Sequence, residues 1–278
     1  MLARLNALRV VHPFPSFLNA TLVFGLALLA GGSMLAAAGL ALGMLGLQFS
    51  IGAANDVFDE DLDARSKPSK PIPAGLVSRR TATIVAVVAG GGGLLIAAAF
   101  GALVLAMAAA MLGAGLAYDA VLKRGSWGWT AFAVAFPILP VYAWYGAAME
   151  LPPRWEALVV VAALCGPALQ LSNGLVDLER DMSAGLTGLP GRLGRRRSVL
   201  LMAALVASIH GVAWLTLLAD DRLAPETVVL LAAASTLAAA GVMLSAAARL
   251  DLREWGWRAQ AAGIALLGLG WLAAVSVG

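Results

Sequence analysis

Nine apolar stretches of about 20 residues divide this chain and constrain its fold more than any other feature. About 20 predominantly apolar residues cross a bilayer as a helix. Lipid forces every backbone polar group to pair within the segment, which excludes open strands. Only 13% of the 278 residues are charged, about half the share typical of soluble domains, which excludes a soluble protein and a nucleic-acid partner. The sequence therefore predicts an all-α polytopic membrane protein with nine transmembrane helices, at residues 14–33, 34–54, 82–100, 101–118, 129–148, 157–176, 199–218, 227–246 and 259–277.

Small residues dominate these spans and set how the helices can pack. Residues 89–93 and 233–241 are dense runs of alanine and glycine, and side chains this small let membrane helices approach closely. Gly32 and Gly101 are the only local breaks between the first two spans and between the third and fourth. The single cysteine, Cys165, excludes an intrachain disulfide. The bundle is therefore expected to rest on close helix contacts.

Basic residues are sorted to one side of the predicted bundle. Nine spans place all 19 lysines and arginines except Arg154 and Arg222 on the side of the N-terminus. Cytoplasmic segments of membrane proteins carry this kind of excess. We therefore expect a multi-pass protein of the cytoplasmic membrane with its N-terminus in the cytosol. An even number of spans would scramble the sorting.

Two acidic motifs stand at the ends of the second and sixth spans, on that same cytosolic side. Residues 55–63 and residues 173–181 both read Asn-x3-Asp-x3-Asp, offset by 118 positions. If each helix continues through its motif, a spacing of four places the three polar residues on one face. The match indicates a weak internal repeat. We expect one transmembrane domain over residues 1–278, built from two pseudo-repeated helix bundles.

Carboxylates clustered at a membrane surface repel one another unless cations lie between them. Mg²⁺ typically takes one or two carboxylates and completes its shell with substrate phosphate oxygens. Two acidic motifs facing each other would hold such ions around a diphosphate. The prolines of residues 67–75 stiffen a loop that can carry Lys67 and Lys70 back over the carboxylates, where they would contact phosphate. For the arginine run 195–197 we favour charge sorting over phosphate contact.

The pattern resembles the UbiA family of intramembrane prenyltransferases over nearly the whole chain. The resemblance rests on Asn-Asp-x2-Asp-x3-Asp at 55–63, on Lys-Pro-Ser-Lys-Pro-Ile-Pro-Ala-Gly at 67–75, and on Asp-x3-Asp at 177–181 followed by Gly-Leu-Pro at 188–190 and Leu-Gly at 193–194. It implies that the two motifs bind Mg²⁺ and the diphosphate of an isoprenoid donor. It also implies a central cavity with a cytosolic cap formed by the loops.

Three positions depart from the family's pattern. The family often has a tyrosine followed four residues later by a lysine, whereas Tyr118 and Lys123 lie five apart. His12 stands where many members have another basic residue, and Gly174 stands where an aspartate would parallel Asp56. None of these changes removes a residue that the metal mechanism requires.

The predicted site falls into three groups. As catalytic residues we expect Asp59, Asp177, Lys67 and Lys123. As substrate-binding residues we expect Asn55, Lys67, Lys70, Lys123, Tyr118, Asn173 and Gln48. As metal ligands we expect Asn55, Asp56, Asp59, Asp63, Asp177 and Asp181.

Polar and aromatic residues inside the spans have two interpretations each. Gln48 and Gln170 either line the cavity or make interhelical hydrogen bonds. For His210 we favour an interhelical hydrogen bond over a role as an acceptor-site base. The aromatic residues at the end of the fifth span are interpreted as an interface belt rather than as a carbocation site; they are Tyr142, Trp144 and Tyr145.

Three functions fit these residues. The first is transfer of a prenyl group from an isoprenyl diphosphate to an aromatic or other small lipophilic acceptor in the bilayer, with Mg²⁺ and lysines neutralising the departing diphosphate. The second is a membrane terpene cyclase that uses the same ionisation, and would release diphosphate from the donor alone. The third is a cation transporter. Acids at span ends rather than at mid-membrane depth count against transport.

Overall fold

The computed structural model describes residues 7–183, 185 and 188–276. All regular secondary structure in these residues is helical, and they contain no strand. Arg4, which the charge sorting assigns to the N-terminal side, lies outside them. Two short 3-10 turns, Leu8–Val11 and Leu122–Arg124, accompany the α-helices. The α-helices are α1 (Pro13–Leu29), α2 (Met34–Phe58), α3 (Glu60–Ser66), α4 (Arg79–Ala98), α5 (Ala102–Ala120), α6 (Gly128–Ala148), α7 (Trp155–Val176), α8 (Leu178–Ser183), α9 (Leu189–Ala219), α10 (Pro225–Ser245) and α11 (Leu250–Ser276).

Each predicted span corresponds to one long helix, and the all-helical polytopic fold is confirmed. Among the described residues, eight helices are long and apolar enough to cross a membrane. The ninth, α1, has 17 residues, which at 1.5 Å per residue is about 25 Å, short of a hydrocarbon core of about 30 Å. Helix α11 begins about ten residues before its predicted span, because a helix continues into charged sequence wherever water solvates its side chains. Helix α9 contains a break at Gly194 (φ 74°, ψ 163°), so its continuous part begins at Arg195, close to the predicted start at residue 199.

Small polar residues and glycine set several helix boundaries. The Ser33 side chain accepts a hydrogen bond from the amide of Ala36 at the start of α2. Ser78 does the same for Thr81 at the start of α4. Side-chain acceptors of this kind satisfy amides that have no partner within the helix. Gly101, at φ 108°, makes the tight turn between α4 and α5, a conformation that favours glycine.

The helices form two compact units. The first unit contains described residues up to 123 together with 138–150. Helix α2 is its centre and packs against α1, α4 and α5. A Cβ atom on Gly93 of α4 would lie 2.8 Å from the carbonyl oxygen of Gly43, and one on Gly46 would lie 2.7 Å from that of Ala89. Glycine is therefore required where α2 and α4 cross, as the small-residue composition predicts.

The second unit contains residues 124–137 and the described residues from 151 onward. Helices α10 and α11 form its tightest pair, and α7 packs against α9 and α11. A Cβ atom on Gly241 would lie 2.7 Å from the carbonyl oxygen of Gly256. Near this crossing the buried amide of Gln260 donates to the hydroxyl groups of Ser172 and Ser245, at 2.9 Å and 3.0 Å. Polar side chains thus join α7, α10 and α11 inside the unit.

Large apolar side chains cover much of the exposed helix surface. Leu35 is 84% exposed, Leu95 76% and Val229 69%. Such faces are costly in water and suit contact with lipid. Trp127 and Trp255 are also more than half exposed, and exposed tryptophans of membrane proteins are typically found at the membrane interface.

The interface-belt interpretation is wrong for Tyr142 and Trp144. Both side chains are buried, and the Tyr142 hydroxyl donates to the carbonyl oxygen of Leu40 at 3.2 Å. The phenol fits there because Gly43 has no side chain, and a Cβ atom on it would lie 2.9 Å from the Tyr142 hydroxyl. These rings are therefore packing residues of the first unit. Tyr145 is half-buried.

Candidate active site

Both acidic motifs contain the same break in the helix. Helix α2 ends at Phe58, and Asp59 (φ −97°, ψ 2°) connects it to α3. Helix α7 ends at Val176, and Asp177 (φ −103°, ψ 10°) connects it to α8. An uninterrupted helix through each motif is therefore a wrong expectation. The matching conformation, 118 positions apart, supports the predicted internal repeat.

In the first unit, Lys70 lies between two buried carboxylates. Its Nζ atom is 2.9 Å from Asp56 Oδ1 and 2.7 Å from Asp63 Oδ2. The two aspartates are only 1–2% exposed. His12 contacts the same Asp56 oxygen at 3.2 Å. His12 and Lys70 of the basic loop thus converge on one carboxylate.

The proline-rich loop places Lys70 there by packing its own apolar residue into the core. Ile72 is 7% exposed and clusters with Val10, Ala53 and Ala82. Backbone hydrogen bonds from Gly75 and Leu76 back to residues 71–72 close the turn. The prediction that this loop carries Lys70 over the carboxylates is confirmed.

Lys123 makes a second bridge between carboxylates. Its Nζ atom is 2.7 Å from Asp59 Oδ2 and 3.5 Å from Asp119 Oδ1. Asp119 is 1% exposed and also accepts a hydrogen bond of 2.6 Å from the Asn55 amide nitrogen. We call the whole group the lysine-bridged cluster; its members are His12, Asn55, Asp56, Asp59, Asp63, Lys70, Asp119 and Lys123.

Burial and pairing compete in the electrostatics of this cluster. Burial raises the pKa of Asp63 above its usual range, although Lys70 opposes the shift. Burial also disfavours charge on Lys70, but the carboxylates of Asp56 and Asp63 outweigh it and hold the pKa of Lys70 above its ordinary value. Lys70 therefore remains a cation, while Asp63 depends on it to stay ionised.

The second motif is organised around a buried arginine. Arg253, 3% exposed, donates through Nη1 to the carbonyl oxygen of Leu175 at 2.7 Å. Its Nη2 atom lies 2.8 Å from Glu179 Oε2. Leu175 and Glu179 stand two residues before and two residues after Asp177. The guanidinium thus holds the backbone and a side chain on both sides of the helix break.

Glu179 also pairs with Arg195, the first arginine of the run 195–197. Burial alone would raise the pKa of Glu179, but hydrogen bonds from Arg253 and Arg195 lower it to about 2. Charge sorting is therefore only part of the explanation for Arg195, since this residue also supports the motif. Asp177 Oδ1 lies 3.5 Å from Arg180 Nη1, and the amide of Asp181 donates to the carbonyl oxygen of Asp177.

Other predicted site residues are placed less tightly. Lys67 directly follows α3, and its charge opposes the rise in the pKa of Asp63 that burial causes. Tyr118 and Asn173 are half-buried near the ends of α5 and α7. Gln48 contacts Met44 of its own helix at 3.7 Å, while the buried amide oxygen of Gln170 has no hydrogen-bond partner among the described residues. Their predicted roles stay predictions.

Asp119 and Arg253 are site residues to which the sequence pattern assigned no role. Asp119 directly follows a predicted span, and ionisable residues in or next to spans are costly and usually functional. Arg253 lies in the charged segment before the last span, where nothing in the local pattern distinguishes it from other arginines. The spacing of four between Asp119 and Lys123 was a further signal. The interhelical interpretation of His210 is confirmed, since its Nδ1 atom lies 2.9 Å from the Ser235 hydroxyl of α10.

The lysine-bridged cluster has the chemistry of a site for a hard divalent cation. Asp56 Oδ2 and Asp119 Oδ2 are buried oxygens without a hydrogen-bond partner in the described chain, and carboxylate with amide oxygen is a donor set that suits Mg²⁺. No three acidic, histidine or cysteine residues of the described ranges form a ready-made metal cage, since lysines lie between the carboxylates. A cation bound to these residues would thus need further oxygen ligands from a bound anion.

This architecture defines a polytopic membrane protein whose spanning helices end in acidic motifs with cationic partners. The UbiA prenyltransferase family matches residues 18–253. The chain therefore belongs to the UbiA prenyltransferase family.

Similar proteins agree with that assignment. A digeranylgeranylglyceryl phosphate synthase of Natronomonas pharaonis is 32% identical over 155 residues, 55% of this chain and 56% of that one. The alignment thus spans little more than half of that relative. The enzyme of the same name from Halobacterium salinarum is 30% identical over 200 residues, 71% of this chain and 72% of the other. A UbiA homolog from Archaeoglobus fulgidus bound to GPP and Mg²⁺ has the same fold, with a TM-score of 0.67, 19% identity and coverage of 98% and 100%.

Proposed function

We propose that this protein ionises an isoprenyl diphosphate with the help of Mg²⁺ and transfers the prenyl group to a lipophilic acceptor inside the membrane. The lysine-bridged cluster is the observation that carries the proposal. It puts the ammonium groups of Lys70 and Lys123 and the carboxylates of Asp56, Asp59 and Asp63 at the end of one spanning helix. A departing diphosphate is stabilised by cations. The two lysines are cations themselves, and the carboxylates would bind Mg²⁺ as further ones.

The cluster's own residues have distinct parts in this reaction. The allylic C–O bond breaks and both electrons leave with the diphosphate, whose growing charge Lys70 and Lys123 neutralise. Mg²⁺, when bound, supplies additional charge neutralisation on the phosphate oxygens. Asn55, Asp56, Asp59 and Asp63 would hold it. The acceptor then attacks the carbocation and loses a proton, and apolar helix walls keep water from the cation.

The second motif is also proposed to bind Mg²⁺ and diphosphate. Asp177 and Asp181 repeat the spacing of Asp59 and Asp63, and Asp177 has the backbone conformation of Asp59. Mg²⁺ sites around diphosphates commonly share oxygens between protein carboxylates and phosphate. We infer that Lys67, Tyr118, Asn173 and Gln48 are additional substrate contacts.

The acceptor is proposed to carry a lipid chain. The named relatives are digeranylgeranylglyceryl phosphate synthases, which favours a prenylated glyceryl phosphate over a phenol. The UbiA homolog that binds GPP and Mg²⁺ supports a prenyl diphosphate as the donor here.

We also propose the cytoplasmic membrane with the N-terminus and both motifs in the cytosol. The two basic residues on the opposite side have structural partners there. Arg154 lies 2.5 Å from Asp220, and Arg222 donates to the carbonyl oxygens of Ala274 and Val275 at the end of α11. Because both arginines have partners within the protein, their position on the opposite side is consistent with the positive-inside orientation.

The test is purified full-length protein in lipid nanodiscs with Mg²⁺, a series of prenyl diphosphates and two acceptor classes, a prenylated glyceryl phosphate and a phenol. The expected result is an acceptor-dependent prenylated lipid by mass spectrometry, formed only with Mg²⁺. Asp59→Ala and Asp177→Ala should each abolish turnover in folded, membrane-inserted protein. Matched controls are Asp61→Ala and Asp251→Ala, which remove exposed carboxylates.

Two results would redirect the proposal. Release of diphosphate from the donor alone, with a hydrocarbon or alcohol as product, would establish a terpene cyclase. Divalent-cation flux in vesicles without any prenyl transfer would establish a transporter. Full activity of either aspartate variant would contradict the metal-binding roles.

A further inference from the structure

Asp119 is a buried carboxylate whose cost the fold must offset. It occupies the last turn of α5 and is 1% exposed. A carboxylate deprived of water is strongly unfavourable without cations or hydrogen-bond donors. Residues of this kind within spans are rare and mark functional sites. The contacts of Asp119 therefore indicate its role.

Two groups of the lysine-bridged cluster meet at Asp119 Oδ1. The Asn55 amide nitrogen donates to this oxygen at 2.6 Å, and Lys123 Nζ lies 3.5 Å away. Lys123 continues to Asp59, while Asn55 Oδ1 lies 3.5 Å from Lys70. Asp119 thus connects the half of the cluster that contains Lys70 with the half that contains Lys123.

This contact decides which atom of Asn55 is free for a ligand. An ionised carboxylate only accepts hydrogen bonds, so the amide nitrogen must face Asp119. The amide oxygen then points away from Asp119, toward the side of Lys70. Hard cations bind oxygen and not amide nitrogen. Without Asp119, the amide would be free to rotate and offer either atom.

We propose that Asp119 is a positioning residue, which orients Asn55 so that its amide oxygen faces a divalent cation and holds Lys123 beside Asp59. The proposal rests on the proposed function, since it assumes a cation at Asn55. Residues that orient metal ligands typically change metal affinity or activity by about 10–100-fold when replaced.

The experiment measures metal binding directly. Mn²⁺, as a spectroscopic substitute for Mg²⁺, is titrated into full-length protein in nanodiscs with inorganic diphosphate and followed by electron paramagnetic resonance. Asp119→Asn should weaken Mn²⁺ binding by about 10–100-fold with an unchanged melting temperature. Asp61→Asn, in an exposed residue of the same region, is the matched control and should bind like the wild type.

An exchange variant separates positioning from packing. Asn55→Asp combined with Asp119→Asn retains the hydrogen bond with donor and acceptor exchanged, and again leaves residue 55 with an oxygen for the cation. We expect Mn²⁺ affinity within about threefold of the wild type, about 0.7 kcal/mol or less. This variant also serves if Asp119→Asn alone does not fold.

The outcomes distinguish the inference from the function on which it rests. If the wild type binds no Mn²⁺ with diphosphate, the proposed function fails. If the wild type binds Mn²⁺ and Asp119→Asn binds it equally well, only the role of Asp119 is overturned. A folded exchange variant that remains as weak as Asp119→Asn also overturns it.

Discussion

Arg253 donates a 2.7 Å hydrogen bond to the carbonyl oxygen of Leu175, one of the last carbonyls of α7 before the helix breaks at Asp177. The helix leaves its terminal carbonyls without intrahelical partners. A buried guanidinium from α11 supplies one partner and at the same time binds Glu179. The position of Asp177 is therefore determined by a residue 76 positions away along the chain.

Replacing Arg253 by lysine should disturb the second motif without removing the charge. One ammonium cannot reproduce the two separate donors of the guanidinium. We expect a decrease in kcat/KM of about tenfold or more, by analogy with other residues that orient metal ligands. The matched control is Arg249→Lys, which changes an exposed arginine paired with Asp251. Equal kinetics for both variants would contradict the positioning role.

Replacing Lys70 by methionine should destabilise the protein strongly. Removal of one partner from a buried ion pair costs about 3–5 kcal/mol, and Asp56 and Asp63 would both lose their cation. The loss in free energy of unfolding relative to the wild type should grow as the pH rises from 5 to 8. Burial raises the pKa of Asp63, and an unpaired buried carboxylate is tolerated only when it is protonated. Thermal unfolding in nanodiscs measures this.

The control for that variant is Arg79→Met. It breaks the pair between Arg79 and Glu60, in which the arginine is 59% exposed. Exposed pairs contribute about 1 kcal/mol or less. A Lys70 variant as stable as the Arg79 variant would show that the buried charges are compensated in another way.

Glu179 should make stability depend on pH in the acid range. Its folded pKa of about 2 lies below the ordinary value of 4.5. The stabilisation is therefore complete above about pH 4.5 and is lost as the pH falls through the folded pKa. We expect the difference in melting temperature between the wild type and Glu179→Gln to be constant from pH 8 to 5 and to shrink from pH 4.5 to 3. A difference that widens below pH 4.5 would have the wrong sign.

Adjacent glycines in α4 should respond in opposite ways to alanine. A Cβ atom on Gly93 would lie 2.8 Å from the carbonyl oxygen of Gly43 and would force α2 and α4 apart, whereas one on Gly92 would meet no atom within 4 Å. We expect Gly93→Ala to destabilise by about 1–3 kcal/mol. Gly92→Ala should be neutral or stabilising by up to about 1 kcal/mol. Chemical unfolding of the two variants in mixed micelles compares them directly.

The features that depend on local pattern could be predicted from the sequence. Apolar length located every spanning helix, and the Asn-x3-Asp-x3-Asp spacing located both motifs, although it did not predict the helix break inside each of them. The proline-rich loop correctly indicated Lys70, because proline chemistry limits where such a loop can turn. The start of α11 was missed because hydropathy marks the membrane segment and not the helix itself.

Features that depend on partners distant in sequence were beyond prediction. Arg253 resembles any cytosolic arginine until α11 is packed beside α7. Tyr142 resembles an interface tyrosine until Gly43 leaves room for its ring. Asp119 had a visible partner at Lys123, but its hydrogen bond to Asn55 spans 64 positions. Burial and orientation at these sites come from packing, which periodicity does not encode.

The lysine-bridged cluster has a consequence for how the protein is made. Every contact described here for its aspartates, from His12 to Lys123, is made within the first 123 residues. A ribosome that has released Lys123 from its exit tunnel has therefore delivered all the counter-charges that this acidic end of α2 needs. The nascent chain can bury these carboxylates at the translocon without waiting for the remaining half of the polypeptide.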